Sequence, residues 1–421
     1  MDDMQRVGAS FAAFATYLDS KPSEPGVQLF YYRVVCAALS ARCTDTFAMP
    51  DAACAVQLPW KPEVAWVPAD LYCRGEAIAH APRNLLKKQV DKASARGLCI
   101  KSGVEVEFFL LTPDGSAPAD SADVSTKPAY EMQALMRRYD VISTVCDYMV
   151  QLGWEPYQND HEDANGQFEM NWGYTDVLTT ADRHAFFKFM LRSCAEAAGL
   201  RVTFMPKPFA NRTGSGAHVH VSAWGAPDSA QEDVNLFRDP AGELGLSPLA
   251  YSFIAGVLAS AEGICAVTNP TVNSYKRLNA SVTRSGATWS PNTVTYTGNN
   301  RTHMVRIPDS NRFEFRLPDG AVNPYLVQAA LVAAGLNGVD ASLHPGPRSD
   351  GNFQEEKPPP GTRTLPANLL DALRALQADA ALRAALGEEF VGSYVKLKMA
   401  QEWAPYAAHL SSWELAATLD V

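Results

Sequence analysis

Gly103-Val-Glu-Val-Glu-Phe-Phe-Leu-Leu111 is the stretch from which the rest of the chain can be read. Its period-2 alternation predicts a strand that points Glu105 and Glu107 to one face, beside a buried apolar face. Two like charges closing on a sheet repel, and a divalent cation turns that repulsion into binding, because hard cations take oxygen ligands from carboxylates and phosphates. By itself such a pair reads as a solvated strand edge, and only the other segments reverse this.

The segment His161-Glu162-Asp-Ala-Asn-Gly166-Gln167-Phe-Glu169 folds back at Asn165-Gly166, where glycine permits positive φ. A hairpin there aims Glu162 and Glu169 at one point. Lys207 to Ser222 joins a glycine loop, Gly214-Ser215-Gly216, to a strand presenting His218, His220 and Ser222 on one face. The loop is expected to leave backbone groups bare for a ligand. Two histidines at i and i+2 with acids elsewhere suit metal and phosphate chemistry, although a lone histidine is more often a core residue. Between residues 273 and 316, Arg277, Arg301, Arg306, Arg312 and Arg316 stand among strand residues. Their planar forks match carboxylates and phosphates, and Arg312, Glu314 and Arg316 share one strand face.

The chain has 421 residues, 47% hydrophobic and 19% charged, enough for a large core and more than one domain. A formal charge of -10 argues against a nucleic-acid or membrane-surface partner. No apolar run nears the roughly 20 residues that span a bilayer, and Met1-Asp-Asp lacks a signal-peptide pattern, so a cytoplasmic location is expected. Eight scattered cysteines (Cys36, Cys43, Cys54, Cys73, Cys99, Cys146, Cys194, Cys265) form no Cys-x-x-Cys pair and read mostly as small buried hydrophobes.

Residues 1–95 read as a small, incomplete β-rich module and 96–421 as the main domain. Helices are expected over 132–152, 181–198, 249–267 and 326–336, surface loops over 112–129 and 227–239, and a helical segment over 365–421 that packs on the body.

These motifs resemble those of glutamine synthetases from about Thr44 to the C-terminus. The similarity rests on the glycine loop running into His-x-His and Ser222, and on Asn269-Pro-Thr-Val-Asn-Ser-Tyr-Lys-Arg277. The phrases Asp160-His-Glu-Asp-Ala-Asn-Gly-Gln-Phe-Glu169 and Ser285-Gly-Ala-Thr-Trp-Ser-Pro291 are most similar to the branch of type III glutamine synthetases and γ-glutamylmethylamide synthetases.

The resemblance implies an α+β fold: an incomplete β-grasp-like N-terminal module, then a catalytic domain whose curved antiparallel sheet forms a funnel with helices outside. It implies an ATP-dependent ligase joining glutamate to ammonia or a small alkylamine through γ-glutamyl phosphate, with two or more divalent cations, Mg²⁺ or Mn²⁺. Glu107, Glu162 and Glu169 match ligands of one ion, and Glu105, His218 and Glu314 those of another. Gly214 and Arg277 match glutamate-holding positions, with Arg316 near the reacting carboxylate and Arg301 on the transferred phosphoryl group. Ser222, Arg306 and Arg312 match nucleotide contacts, and His220 lines the same cleft. Relatives assemble as stacked rings, so a large homo-oligomer is expected, and the tyrosine that some relatives adenylylate has no match.

Two departures stand out. Trp289, ahead of Ser290-Pro291, occupies the place of a flap acid that helps bind ammonium, and residues 1–43 show neither the strand-turn nor the Asp-bearing loop of the small domain. An aromatic there favours an alkylated ammonium through apolar contact and cation–π attraction. The alternative is a non-catalytic scaffold or binding protein with a truncated N-terminal domain.

Overall fold

A computed structural model describes residues 46–281 and 283–420. What was expected of residues 1–43, together with Cys36 and Cys43, lies outside the described residues.

The first described strands are β1 (Thr46–Pro50), β2 (Val56–Leu58), β3 (Lys61–Trp66), β4 (Ala69–Cys73) and β5 (Glu76–Ala77). They form a three-stranded sheet, β1-β4-β5, and a β2-β3 hairpin turning at Pro59-Trp60. Arg83, at the start of helix Pro82–Ser94, ties this module to the body. Its buried guanidinium donates to Asp70 at 2.7 Å, Asp51 at 2.9 Å and Asp182 at 2.9 Å. Trp60 packs its ring near those of Tyr148, Phe186 and Phe189.

The alternating stretch becomes β6 (Leu98–Leu111), 14 residues long, with Val104, Val106 and Phe108 facing the main apolar core. Around it come β7 (Pro156–His161), β8 (Gln167–Trp172), β9 (Thr175–Asp176), β10 (Arg201–Thr203), β11 (Ala217–Gly225), β12 (Tyr296–Thr297), β13 (Val305–Asp309) and β14 (Arg312–Phe315). The strand order is β12-β13-β14-β11-β6-β8-β7, with β9 and β10 also paired to β6. Every pairing is antiparallel except β12 with β13.

Helices cover the apolar face. Val177–Ala197 begins where the Asp176 side chain accepts from the Leu178 and Thr179 amides, and Pro324–Asp340 where Asn323 accepts from Tyr325 and Leu326. Pro324–Asp340 crosses Pro248–Ala259 at glycines: a Cβ on Gly338 would lie 2.1 Å from the Ser252 carbonyl oxygen, which lets the two backbones approach.

Two expectations are corrected. The apolar run 249–267 is two helices, Pro248–Ala259 and Ala261–Thr268, bent by 75° at Ser260. Arg363 bridges the bend, donating to the carbonyls of Leu258 and Ala259 and to the Glu262 carboxylate, a long-range contact that periodicity cannot show. In the C-terminal segment, Leu369–Ala378, Ala380–Leu386 and Glu388–Lys398 pack on the body, but Ala404–Ala408 and Ser412–Thr418 bury no residue, and Trp413 is 72% exposed. The apolar side chains Leu410, Trp413, Leu415 and Leu419 meet no core among the described residues. No single described helix is long and apolar enough to cross a membrane.

Candidate active site

Strand register assembles the site. Glu105 pairs with His218, Glu107 with Glu169, and Glu314 with both His220 and Arg306. Side chains directly opposite one another across antiparallel strands share a face, so all of these collect on the face opposite the apolar core. The β7-β8 hairpin turns through Gly166, φ +75°, and sets Asp160 opposite Glu169 with Glu162 just beyond the strand.

Potential ligand atoms meet within 4.8 Å of one another in three groups: Glu105, Glu169 and His218; Glu105, His220 and Glu314; and Asp160, Glu162 and Glu169. Asp160 was not anticipated. Glu107 joins none of these groups; its Oε2 accepts from the Gly216 amide at 2.8 Å and from Gln167 Nε2 at 3.1 Å, and its Oε1 lies on the His218 side.

His218 is buried, with Nδ1 3.5 Å from both Glu105 and Glu314 and Nε2 3.9 Å from Glu107. Burial and the nearby Arg316 charge lower its pKa, which keeps the imidazole neutral and fit for ligation. His220 is already engaged at both nitrogens. Arg312 Nε, always a donor, gives to His220 Nδ1 at 2.9 Å, so Nε2–H donates to Glu105 at 2.8 Å and orients that carboxylate.

The carboxylates divide into two electrostatic classes. Glu314 is fully buried, yet charged neighbours led by Arg316 outweigh burial and hold its pKa down at about 2. Both its oxygens accept from arginines, Arg306 at 2.7 Å on one and Arg316 on the other. Glu162 and Glu169 have no such partner. Burial, and then the Glu107 charge, push Glu162 up to about 8; burial and then the Glu105, Glu162 and Glu107 charges push Glu169 well above the usual carboxylate range. Desolvated like charges with no protein cation between them are the donor set that a divalent ion satisfies, and the oxygen-rich chemistry fits Mg²⁺ or Mn²⁺.

The arginines spread more widely than their spacing suggested. Arg306 is buried, donating to Glu314 and through Nε and NH2 to Asn299 Oδ1 at 2.9 and 2.8 Å. Arg316 bonds the Arg301 carbonyl at 3.0 Å and the Trp289 carbonyl at 3.3 Å, while the Arg301 side chain is exposed. Trp289 is 38% exposed with φ +53°. Ser222 accepts from Trp224 Nε1 at 2.9 Å. Arg277 is buried behind the glycine loop, donating to the Leu317 and Arg316 carbonyls at 3.0 and 3.3 Å.

The glycine loop is therefore not bare. A Cβ on Gly214 would meet the Pro206 carbonyl at 2.4 Å and Arg277 Cγ at 2.9 Å, and the Gly216 amide is spent on Glu107. The glycines are required by close packing, Gly214 against the Pro206 carbonyl and Arg277, Gly216 against His218 and Arg277.

Several supporting residues escaped the sequence reading. Gln167 and Asn171 sit at i−2 and i+2 from Glu169 on its face; Gln167 braces Glu107 and the Gly214 carbonyl, and Asn171 donates to Glu169 at 2.9 Å. Period-2 spacing could have found both. Asp123 lies in the segment expected to be a surface loop, yet it is buried, accepting from the Gly166 amide at 2.7 Å and Asn165 at 2.9 Å and facing His161 Nε2 at 2.8 Å. Nothing local marks it.

The family model described as glutamine synthetase, catalytic domain, matches residues 79–418. The chain is 53% identical over 425 residues to the glutamine synthetase of Rhizobium leguminosarum bv. phaseoli, covering 100% of this chain and 91% of that protein. It is 41% identical over 384 residues to the glutamate–methylamine ligase of Methyloversatilis universalis, covering 89% of this chain and 85% of that one. A solved structure titled GmaS/ADP complex superposes with a TM-score of 0.86 at 56% identity, over 91% of this chain and 87% of that one.

Proposed function

Because the chain belongs to the glutamine synthetase family, it is an ATP-dependent carbon–nitrogen ligase that joins glutamate to an amine, and we propose that it does so through γ-glutamyl phosphate with a small alkylamine as acceptor. The observation that carries the chemistry is the convergence of Glu105, Glu162, Glu169, His218 and Glu314 on one sheet face beside buried arginines. A non-catalytic scaffold is not favoured, since the family match runs through the whole of that face.

In the first step a γ-carboxylate oxygen of glutamate attacks the terminal phosphorus of ATP, the bond to the bridging oxygen breaks, and ADP leaves. Bound divalent cations supply Lewis-acid neutralisation of phosphate charge and would be held by Glu105, Glu162, Glu169, His218 and Glu314, with Glu107 offering its Oε1, the oxygen on the His218 side. Arg316, fixed by Glu314 and by two backbone carbonyls, is set to stabilise charge on the transferring oxygens, and the exposed Arg301 can reach the phosphoryl group. Arg306, Arg312 and Ser222 form the nucleotide side, while Gly214 and Arg277 shape the wall against which glutamate rests. In the second step a deprotonated amine attacks the acyl carbon, phosphate leaves, and an amide of glutamate remains.

Acceptor choice follows from Trp289. An indole in place of a carboxylate lowers affinity for bare ammonium and offers apolar and cation–π contact to an alkylated one. Phosphate release with ATP and glutamate, measured across ammonium, methylamine and ethylamine, tests this: kcat/KM is highest with an alkylamine, and Trp289→Glu moves the preference toward ammonium by about fivefold, a change of roughly 1 kcal/mol. Ammonium working at least as efficiently as methylamine in the unmodified enzyme sinks the acceptor assignment.

The same reading takes β1 to β5 as the described part of a β-grasp-like module ending near residue 95, joined to a catalytic domain whose curved sheet forms a funnel. It makes the protein a cytoplasmic enzyme assembled as a large homo-oligomer of stacked rings. Light scattering after size exclusion checks the assembly, and a clean monomer would defeat it.

A further inference from the structure

The phrases Asp160–Glu169 and Ser285–Pro291, far apart in the chain, touch. Asp163 Oδ2 accepts from Ser285 Oγ at 2.5 Å and also from Thr213 Oγ1, which stands next to Gly214. Ser285 lies in a tight turn in which Thr283 Oγ1 donates to the Ala287 carbonyl. Arg284 secures its side of the turn: its amide donates to the Asn211 carbonyl at 2.7 Å and its guanidinium to the Val124 carbonyl at 2.6 Å. At the far end the Trp289 carbonyl accepts from Arg316. Trp289 itself holds φ +53°, a conformation costly for a bulky side chain and kept only where surroundings impose it.

We propose that Asp163 is a positioning residue: its carboxylate, shared by the hydroxyls of Thr213 and Ser285, fixes the Trp289-bearing segment over the acyl-transfer site. The segment then shields γ-glutamyl phosphate, so the acyl group passes to the amine rather than to water. Hydrolysis would return glutamate and phosphate and spend ATP with no amide formed. The proposal rests on the acyl-phosphate route above.

The test measures phosphate released per amide formed, using the full chain with ATP, glutamate and methylamine. Wild type gives about one phosphate per amide. Asp163→Ala and Ser285→Ala raise that ratio several-fold and raise KM for methylamine about tenfold, the size set by losing one hydrogen bond to a charged acceptor, while total phosphate release stays within about threefold. Ser285→Thr restores coupling, and the double variant is no worse than Asp163→Ala alone, because the Ser285 contact is already lost in that variant. Ser285→Ala deletes only a hydroxyl, so it decides the matter should Asp163→Ala fold poorly. A ratio that stays near one in both variants, or effects that simply add, overturns the latch. Hydroxylamine with wild type separates the two levels: no γ-glutamyl hydroxamate means that the acyl-phosphate route itself has failed and takes the latch with it, whereas hydroxamate with unchanged coupling in the variants refutes the latch alone.

Discussion

Replacing Asp123 with alanine should loosen the hairpin that carries Glu162 and Glu169 without touching either glutamate. Its carboxylate faces three buried donor groups, the Gly166 amide, Asn165 Nδ2 and His161 Nε2, at 2.7 to 2.9 Å. A buried donor left without a partner costs about 1–3 kcal/mol. Water entering the gap recovers part of this, so the total comes to about 3–5 kcal/mol. Asp123→Asn keeps one acceptor oxygen and should cost about 2 kcal/mol. Function suffers in parallel, because residues that orient metal-binding groups typically contribute about 10–100-fold in affinity. Urea unfolding followed by tryptophan fluorescence gives the stability change, and calorimetric titration with Mn²⁺ gives the affinity. The pH dependence has a definite sign. Burial opposes ionisation of Asp123, but the bonds from His161, Asn165 and Gly166 outweigh it and hold the pKa below the ordinary 3.8. Its contribution is therefore present above the unfolded value and disappears as pH falls through the lower folded value. An alanine variant within about 1 kcal/mol of wild type, with unchanged Mn²⁺ affinity, would show that the hairpin aims its glutamates unaided.

Three further outcomes follow from the same structure. Arg83→Met strands Asp51, Asp70 and Asp182 without their shared buried cation and should destabilise by about 3–5 kcal/mol in urea titration; a change under about 1 kcal/mol would mean that the N-terminal strands are held by packing alone. Gly338→Ala drives a methyl to within 2.1 Å of the Ser252 carbonyl oxygen and should cost at least about 1–3 kcal/mol, read as a lowered unfolding midpoint or lost soluble yield, and a neutral result would show that the two helices can separate freely. Glu162 titrates near 8 in the fold against an ordinary 4.5, so between those values the native protein binds more protons than the unfolded chain and loses stability as pH rises. Mn²⁺ must displace that proton, so its thermal stabilisation should grow between about pH 6 and 8, and a constant shift across that range would contradict the assignment of Glu162 as a ligand.

Much of the site was legible because its chemistry is written in short-range spacing. Glu105 and Glu107, His218 and His220, and Arg312 and Glu314 each repeat at intervals of two within single strands, with Arg316 continuing the spacing just past β14, and the turn at Gly166 places Glu162 beside Glu169. What stayed hidden depends on partners distant in the chain. The bend at Ser260 is braced by Arg363, the glycine loop is packed by Arg277, and Asp123 reaches across about forty residues to the hairpin. Spacing also could not say that Glu107 would be engaged by Gln167 and Gly216.

Residue order alone determined which side chains share a strand face, since alternation is a local property of the extended backbone and needs no neighbour. Tertiary structure decided which faces meet, in what register, and therefore which carboxylates are neutralised. Glu314 accepts from Arg306, brought to it by β13, as well as from Arg316, whereas the buried Glu169 and the half-buried Glu162 were set together with no cation supplied. The reason is that charge–charge energies depend on distance and on exclusion of water, and both are set only once the strands have paired.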